Sequence, residues 1–261
     1  MKATILASAA LLATASVAQA QDNRDNRDIR VRVGAGAQVR PEFIGADDRE
    51  IAPYWDVDIA RGDNPFAFEG PDDSFGVRLL SGENFSVGPA ANIEGKRKEK
   101  DVGAPVGTVK TTIEVGGFAD YLPSENFRLH AEALKGVNGH EGFVGSVGAD
   151  YIARDGDKYV FSVGPRLLFS DSRYQRAYFG VTPAAAFASG LPAYRPKRGV
   201  HGVALASGLS YQFSPKFGLF SFARYERLVG DAAKSPIVRE IGSRNQLSAG
   251  LGLNYTFKIA R

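Results

Sequence analysis

Few side chains in this sequence are placed to do chemistry, and those few are widely spaced. The three histidines are His130, His140 and His201. Nucleophilic catalysis needs a hydroxyl and a base within hydrogen-bond reach. Ser207 shares a strand face with His201, but six residues at ~3.3 Å each put them about 20 Å apart. An acyl-transfer site would need Ser and His to meet across different strands. Asp47-Asp48, Asp72-Asp73 and the Asp56/Asp58 pair are carboxylates of the kind that hold Ca²⁺. None has the glycine-spaced ligand pattern of a dedicated loop, so they read as solvated turn carboxylates. Gly34-Ala-Gly36 is not followed by a helix and makes no dinucleotide cradle. The chain has no cysteine, which excludes thiol chemistry and a disulfide framework. The expectation is a non-enzymatic protein without cofactor or metal.

The informative charges lie on alternating faces. Arg30 and Arg32 share a face with Gly34 and Gly36, opposite Ile29, Val31, Val33 and Ala35. The same alternation puts Asp56, Asp58, Arg78, Glu94, Lys110, Glu114, Arg128, Glu132, Asp150 and Arg166 opposite apolar neighbours. A polar face mixing both signs suits an enclosed lumen. There the side chains either pair across the space and plug it, or line a narrow polar channel. The near balance of signs favours the plug. Lys96-Arg-Lys-Glu-Lys100 is the sharpest basic cluster. It could contact anionic lipid phosphates or an acidic partner, but a solvated loop is the favoured reading.

The elements that must position these residues are strands. From Asn245 to Phe257, Leu247, Ala249, Leu251, Leu253, Tyr255 and Phe257 face one way, and Gln246, Ser248, Gly250, Gly252, Asn254 and Thr256 the other. Such a strand, longer than the ~9–11 residues of a tilted bilayer crossing, implies a closed barrel, because hydrocarbon cannot satisfy an open sheet edge. Similar runs begin near Ile29, Trp55, Phe75, Phe85, Val109, Phe127, Phe143, Tyr159, Ala177, Val200 and Lys216. The expected fold is therefore all-β: a transmembrane antiparallel barrel of about 12 strands, with roughly 10–14 admissible. Pro89, Pro165 and Pro183 are expected at bulges or strand ends. Parity of the strands puts the Gly95–Gly107 connection at the periplasmic end, against the habit of short periplasmic turns, and a further short strand around Phe66–Phe68 would change that count.

The chain has 44% hydrophobic and 23% charged residues, and its mature part offers no run of ~18 apolar residues, which excludes a helical membrane protein. Lys2, the apolar stretch Ile5–Ala15 and Ala18-Gln19-Ala20 make residues 1–20 an expected signal peptide. Residues 21–28 read as a flexible periplasmic leader and 29–261 as the barrel. Export and a net charge of +3 give no case for nucleic acid.

Phe43-Ile-Gly45-Ala-Asp47-Asp48 with Pro53, then Tyr178-Phe-Gly-Val181 leading to Tyr194 and Gly199, form two distinctive stretches. A third is Gly230-Asp231-Ala-Ala-Lys-Ser235-Pro236-Ile-Val238, preceded by Tyr225-Glu-Arg-Leu228. In these stretches the chain resembles the MipA/OmpV family of Gram-negative outer-membrane proteins. The resemblance implies an outer-membrane barrel in contact with lipid and lipopolysaccharide. It also implies a scaffold that joins a murein-degrading lytic transglycosylase to a peptidoglycan synthase, or alternatively a porin-like channel for small polar solutes or a surface adhesin. The tail Lys258-Ile-Ala-Arg261 departs from the terminal aromatic residue common in such barrels.

Overall fold

A computed structural model describes residues 28–259. The expected signal peptide and all of the leader except Asp28 lie outside the described residues. The wall is one antiparallel sheet of 12 strands. In chain order these are β1 (Ile29–Pro41), β2 (Arg49–Arg61), β3 (Phe75–Gly76), β4 (Leu80–Ser81), β5 (Phe85–Glu94) and β6 (Thr112–Ser124), then β7 (Phe127–Gly136), β8 (Phe143–Asp155), β9 (Tyr159–Ser170), β10 (Gly199–Gln212), β11 (Phe217–Leu228) and β12 (Asn245–Ile259). Neighbours in sequence pair as hairpins from β5 to β12, and β12 also pairs with β1, Val31 opposite Phe257. The sheet curls until its edge strands β2 and β3 meet by side chains: the Trp55 and Phe75 rings lie edge to face, 6.2 Å apart.

The alternation is turned inside out relative to a soluble sheet. In β12, Leu251 and Leu253 are 61% and 66% exposed while Asn254 is 3% exposed. Apolar side chains thus face outward along the wall, and Gln246, Asn254 and Thr256 face in. That arrangement is stable only where the outside is hydrocarbon. The irregular aromatics of β11 sort the same way. Phe217 and Tyr225 face out, whereas Phe220 is buried inside, its ring tilted against Tyr54 at 4.7 Å. Gly34 and Gly252 make room for it, since a Cβ there would come within 2.6 and 2.3 Å of the Phe220 ring.

The ends of the wall differ. One end carries the turns 82–84, 125–126, 156–158 and 213–216 and both ends of the described chain; the other carries 42–48, 95–111, 137–142, 171–198 and 229–244. Short turns mark the periplasmic end of an outer-membrane barrel. Exposed aromatics ring that end at Phe85, Tyr121, Phe127, Tyr151, Tyr211 and Phe217, where amphipathic rings suit the bilayer boundary.

Three expectations are corrected. The run Ala177–Ala184 is not a strand but the end of helix α2 (Ser172–Phe179) and the start of α3 (Pro183–Ser189). Asp171 caps α2 by accepting from the N–H groups of Arg173 and Tyr174. Thr182 caps α3, with Pro183 in its first turn. Alternation over so short a window cannot distinguish the two structures once caps are present. The run Phe75–Leu79 is not one strand but the short β3 and β4, so the total of 12 is reached by different members. The Gly95–Gly107 connection sits with the other long loops. The reason is residues 62–74, which rise inside the barrel from the short-turn end and supply the missing crossing without joining the wall. Pro89 and Pro165 do sit within strands, β5 and β9. At Pro165 the β8–β9 ladder skips from Gly148↔Arg166 to Tyr151↔Val163. The Ala149 carbonyl there accepts instead from the Arg166 guanidinium at 3.2 Å.

Candidate functional site

The lumen is where this sequence places its polar side chains, and the inner segment 62–74 occupies it. Its start is pinned at the short-turn end. The Phe66 N–H donates to Asp157 at 2.9 Å, and the guanidiniums of Arg30 and Arg32 lie 4.8 and 4.5 Å from the Phe66 ring centre. Arg30 also crosses the lumen to Asp157, 2.9 Å away in the β8–β9 turn. Higher up, Arg78 donates to the Phe68 carbonyl at 2.7 Å, and the Arg128 guanidinium covers the Phe68 ring at 4.9 Å. At the top, Asp72 meets Arg166 at 3.0 Å, Asp73 is held by Arg128, and Ser74 donates to Glu132 at 2.9 Å.

The wall is wired to receive these carboxylates. Asp150 accepts from Arg128 at 2.7 Å and from Arg166 at 2.7 Å, three buried side chains on β7, β8 and β9. Asp120 sits 3.4 Å from Arg128 and 2.7 Å from His130. Each charge of this cluster therefore has an opposite charge and hydrogen bonds, the condition for keeping ions out of water. Asp73 shows the balance: both terminal nitrogens of Arg128 and the Gly70 N–H donate to its carboxylate.

At the long-loop end a cap closes the barrel. It includes α1 (Glu99–Val102), α2, α3 and α4 (Pro236–Glu240). Its apolar interior joins Val109, Tyr174, Tyr178, Phe179, Leu228, Ala232 and Val238, and beside it Phe43, Ala46, Val102, Val181 and Ile237. Arg97, the centre of the basic cluster, is buried here. It donates to the carbonyls of Tyr178 at 2.6 Å and Gly107 at 3.1 Å, a cation on the C-terminal turn of α2.

The residues of the family motif build this cap. Gly45 takes a φ of 94° and donates to Gln246 at 3.0 Å. Gly230 takes a φ of 58° where a Cβ would lie 2.6 Å from the Val200 carbonyl. Asp231 accepts from the Lys197 N–H at 2.9 Å, Ser235 donates to the Phe179 carbonyl at 2.8 Å, and Pro236 opens α4. Asp47 and Asp48 are exposed, the latter turning the loop through its carbonyl.

Between inner segment and cap remains a chamber of ≈ 190 Å³, roofed by Ile44 and Tyr174 and lined by Asp72, Asp73, Glu94, Glu114, Glu132, Glu226, Arg166 and Arg224. Glu114 accepts from Asn92 at 2.8 Å and meets His140 at 2.7 Å. Among the described residues no group of three or more potential ligands could hold a metal ion.

Arg32 pairs with Asp58 at 2.7 Å on the inner face, and Asp56 is half-buried beside it in β2. Lys110 precedes β6 and is exposed, outside the lumen. Sequence reasoning missed Asp72 and Asp73, taken for solvated turn carboxylates, along with Asp120, Asp157, Arg224 and Glu226. A signal was present: residues 62–74 lack alternation and yet hold Phe66 and Phe68. A Ser–His contact does occur across strands, Ser170 Oγ to His201 Nδ1 at 3.1 Å. Both are buried, and among the described residues no carboxylate is bonded to the other ring nitrogen to orient it as the third group of a triad would.

No curated protein matches the sequence. Among solved structures the chain is similar to an outer-membrane channel from Pseudomonas putida F1, with 10% identity over 91% of this chain and 100% of that one and a TM-score of 0.42. It is also similar to the KdgM porin, with 8% identity over 88% and 99% of the two chains and a TM-score of 0.37. A third is the CymD monoaromatic hydrocarbon channel, with 11% identity over 90% and 89% and a TM-score of 0.36. Residues 33–257 match the profile of the family described as MltA-interacting protein MipA. An outward apolar band, an inward polar network and a match across nearly the whole wall lead to one conclusion: this Gram-negative outer-membrane β-barrel belongs to the MipA family.

Proposed function

We propose that this barrel is a closed, non-enzymatic anchor in the outer membrane that holds a murein-processing enzyme through its periplasmic end. The observation that carries the reading is the double closure of the lumen. The inner segment is tied to the wall by Arg128–Asp73 and Arg166–Asp72, and the cap seats Tyr174 over what space remains. With the segment and the cap in place, the chamber between them holds ≈ 190 Å³, and the reading puts the protein's work at its surfaces. The family description, which names an interaction with MltA, supplies the class of partner. The refolded barrel, immobilised and washed with periplasmic extract, is expected to retain murein hydrolases or synthases. Replacing the exposed pair Asp155 and Lys158 in the β8–β9 turn tests whether the short-turn end is the contact; repeated recovery of no such enzyme would sink the proposal.

A second reading rests on a specific feature: residues 62–74 are bound to the wall by side chains rather than by a strand ladder. Displacing them would leave a narrow polar channel. Silence in planar bilayers, both for the native barrel and with the segment deleted, excludes this.

A further inference from the structure

The lipid-facing wall is notched near its long-loop end. Ala133 on β7 lies opposite Gly145 on β8, and Gly145 lies opposite Phe169 on β9. Two small outward residues leave a hollow. The Phe169 ring leans over it, within 2.7 Å of where a Gly145 Cβ would stand. Phe143, 56% exposed, forms the other wall. The result is a groove of ≈ 500 Å³ lined by Ala133, Phe143, Val144 and Phe169, with Arg198 at its upper end.

Its level in the membrane follows from β8. Phe143 and Tyr151 both face out, Tyr151 within the aromatic ring of the short-turn end. The intervening residues, at ~3.3 Å each and a tilt of ~40°, span about 20 Å, close to the height of the apolar band. The groove thus opens where acyl chains of the outer leaflet meet their headgroups. Two cations stand there. Arg198 is exposed and makes no ion pair among the described residues. The Lys135 ammonium donates to the Glu141 carbonyl and lies 4.6 Å from the Phe143 ring centre. Two carboxylates lie at this end: Asp171 caps α2, accepting from Arg173 and Tyr174 N–H groups at 2.9 Å, and Glu141 faces Arg173 at 3.8 Å.

We propose that this groove is a specific site for one phosphorylated lipid of the surrounding outer leaflet. An acyl chain lies over Ala133 and Gly145 between Phe143 and Phe169, and the lipid phosphate is held by Arg198 and Lys135. The exposed Arg198 guanidinium, without an ion-pair partner among the described residues, matches a phosphate in a fork of two hydrogen bonds. The apolar trough selects for the chain and the cations for the headgroup.

Native mass spectrometry of the barrel extracted in mild detergent tests this, together with titration of the delipidated barrel with dioctanoyl phosphatidic acid and with uncharged dioctanoylglycerol. The wild type should retain one phosphorylated lipid and prefer the phosphatidic acid by about tenfold or more. Arg198→Glu with Lys135→Glu, and separately Ala133→Phe, should each lower retention by a similar factor, while Lys216→Glu at the opposite end leaves it unchanged. Equal binding of the uncharged lipid, or undiminished retention in the charge-reversed variant, overturns the proposal. Heat-modifiable migration identifies any variant that fails to fold, and Arg198→Glu, at an exposed position, then carries the test.

Discussion

Arg128 holds Asp73 through both terminal guanidinium nitrogens, joining the inner segment to β7 across 55 residues of sequence. The same guanidinium donates to Asp150 through Nε and Nη2, at 3.0 and 2.7 Å. One arginine therefore belongs at once to the wall and to what fills it.

Arg128→Met should be among the most damaging single changes in the lumen. It would strip the guanidinium from Asp73, Asp120 and Asp150 together, and removing one partner of a buried ionic network costs about 3–5 kcal/mol. Urea unfolding in detergent micelles measures this. Asp73→Asn, which leaves Arg128 its other carboxylates, should cost clearly less, and equal losses would contradict the network.

Trp55, the single tryptophan, is 55% exposed on the outer face beside Phe75. In vesicles its fluorescence should be blue-shifted and strongly quenched by lipids brominated along the acyl chain. Iodide in the water should quench it little. The reverse pattern would place β2 away from hydrocarbon and deny the outward-apolar wall.

Gly34→Ala sets a Cβ 2.6 Å from the Phe220 ring, whose atoms are its nearest neighbours. Overpacking of this kind costs about 1–3 kcal/mol. Phe220→Leu should recover most of the loss in the double variant, and additive losses would show that the two positions do not share the space.

Arg97→Ala should leave the Tyr178 and Gly107 carbonyls without their donor and loosen the cap around α2. Hydrogen exchange is expected to speed up through 172–179 while β12 keeps its protection; an unchanged cap would remove Arg97 from its support.

Alternation made most of the wall legible, because side chains on a strand point to opposite faces and a one-residue slip would reverse every one of them. Ile29, Phe127, Tyr159 and Asn245 begin strands where the pattern begins. It failed at Ala177–Ala184, where caps at Asp171 and Thr182 outweigh a short alternation. It also failed at Phe75–Leu79, where the chain breaks into β3 and β4.

The sequence by itself determined the barrel, its outward apolar band and the inward position of charges such as Arg32, Arg128 and Arg166, since periodicity is a local property of the chain. Only the tertiary structure decided that residues 62–74 rise through the lumen, that Asp72 and Asp73 become half-buried partners of Arg166 and Arg128, and that Arg97 closes the cap. Those outcomes depend on which residues the curvature of the wall brings face to face across an enclosed space. An ion pair between positions 94 residues apart, as Asp72 and Arg166 are, leaves no periodic trace in either stretch.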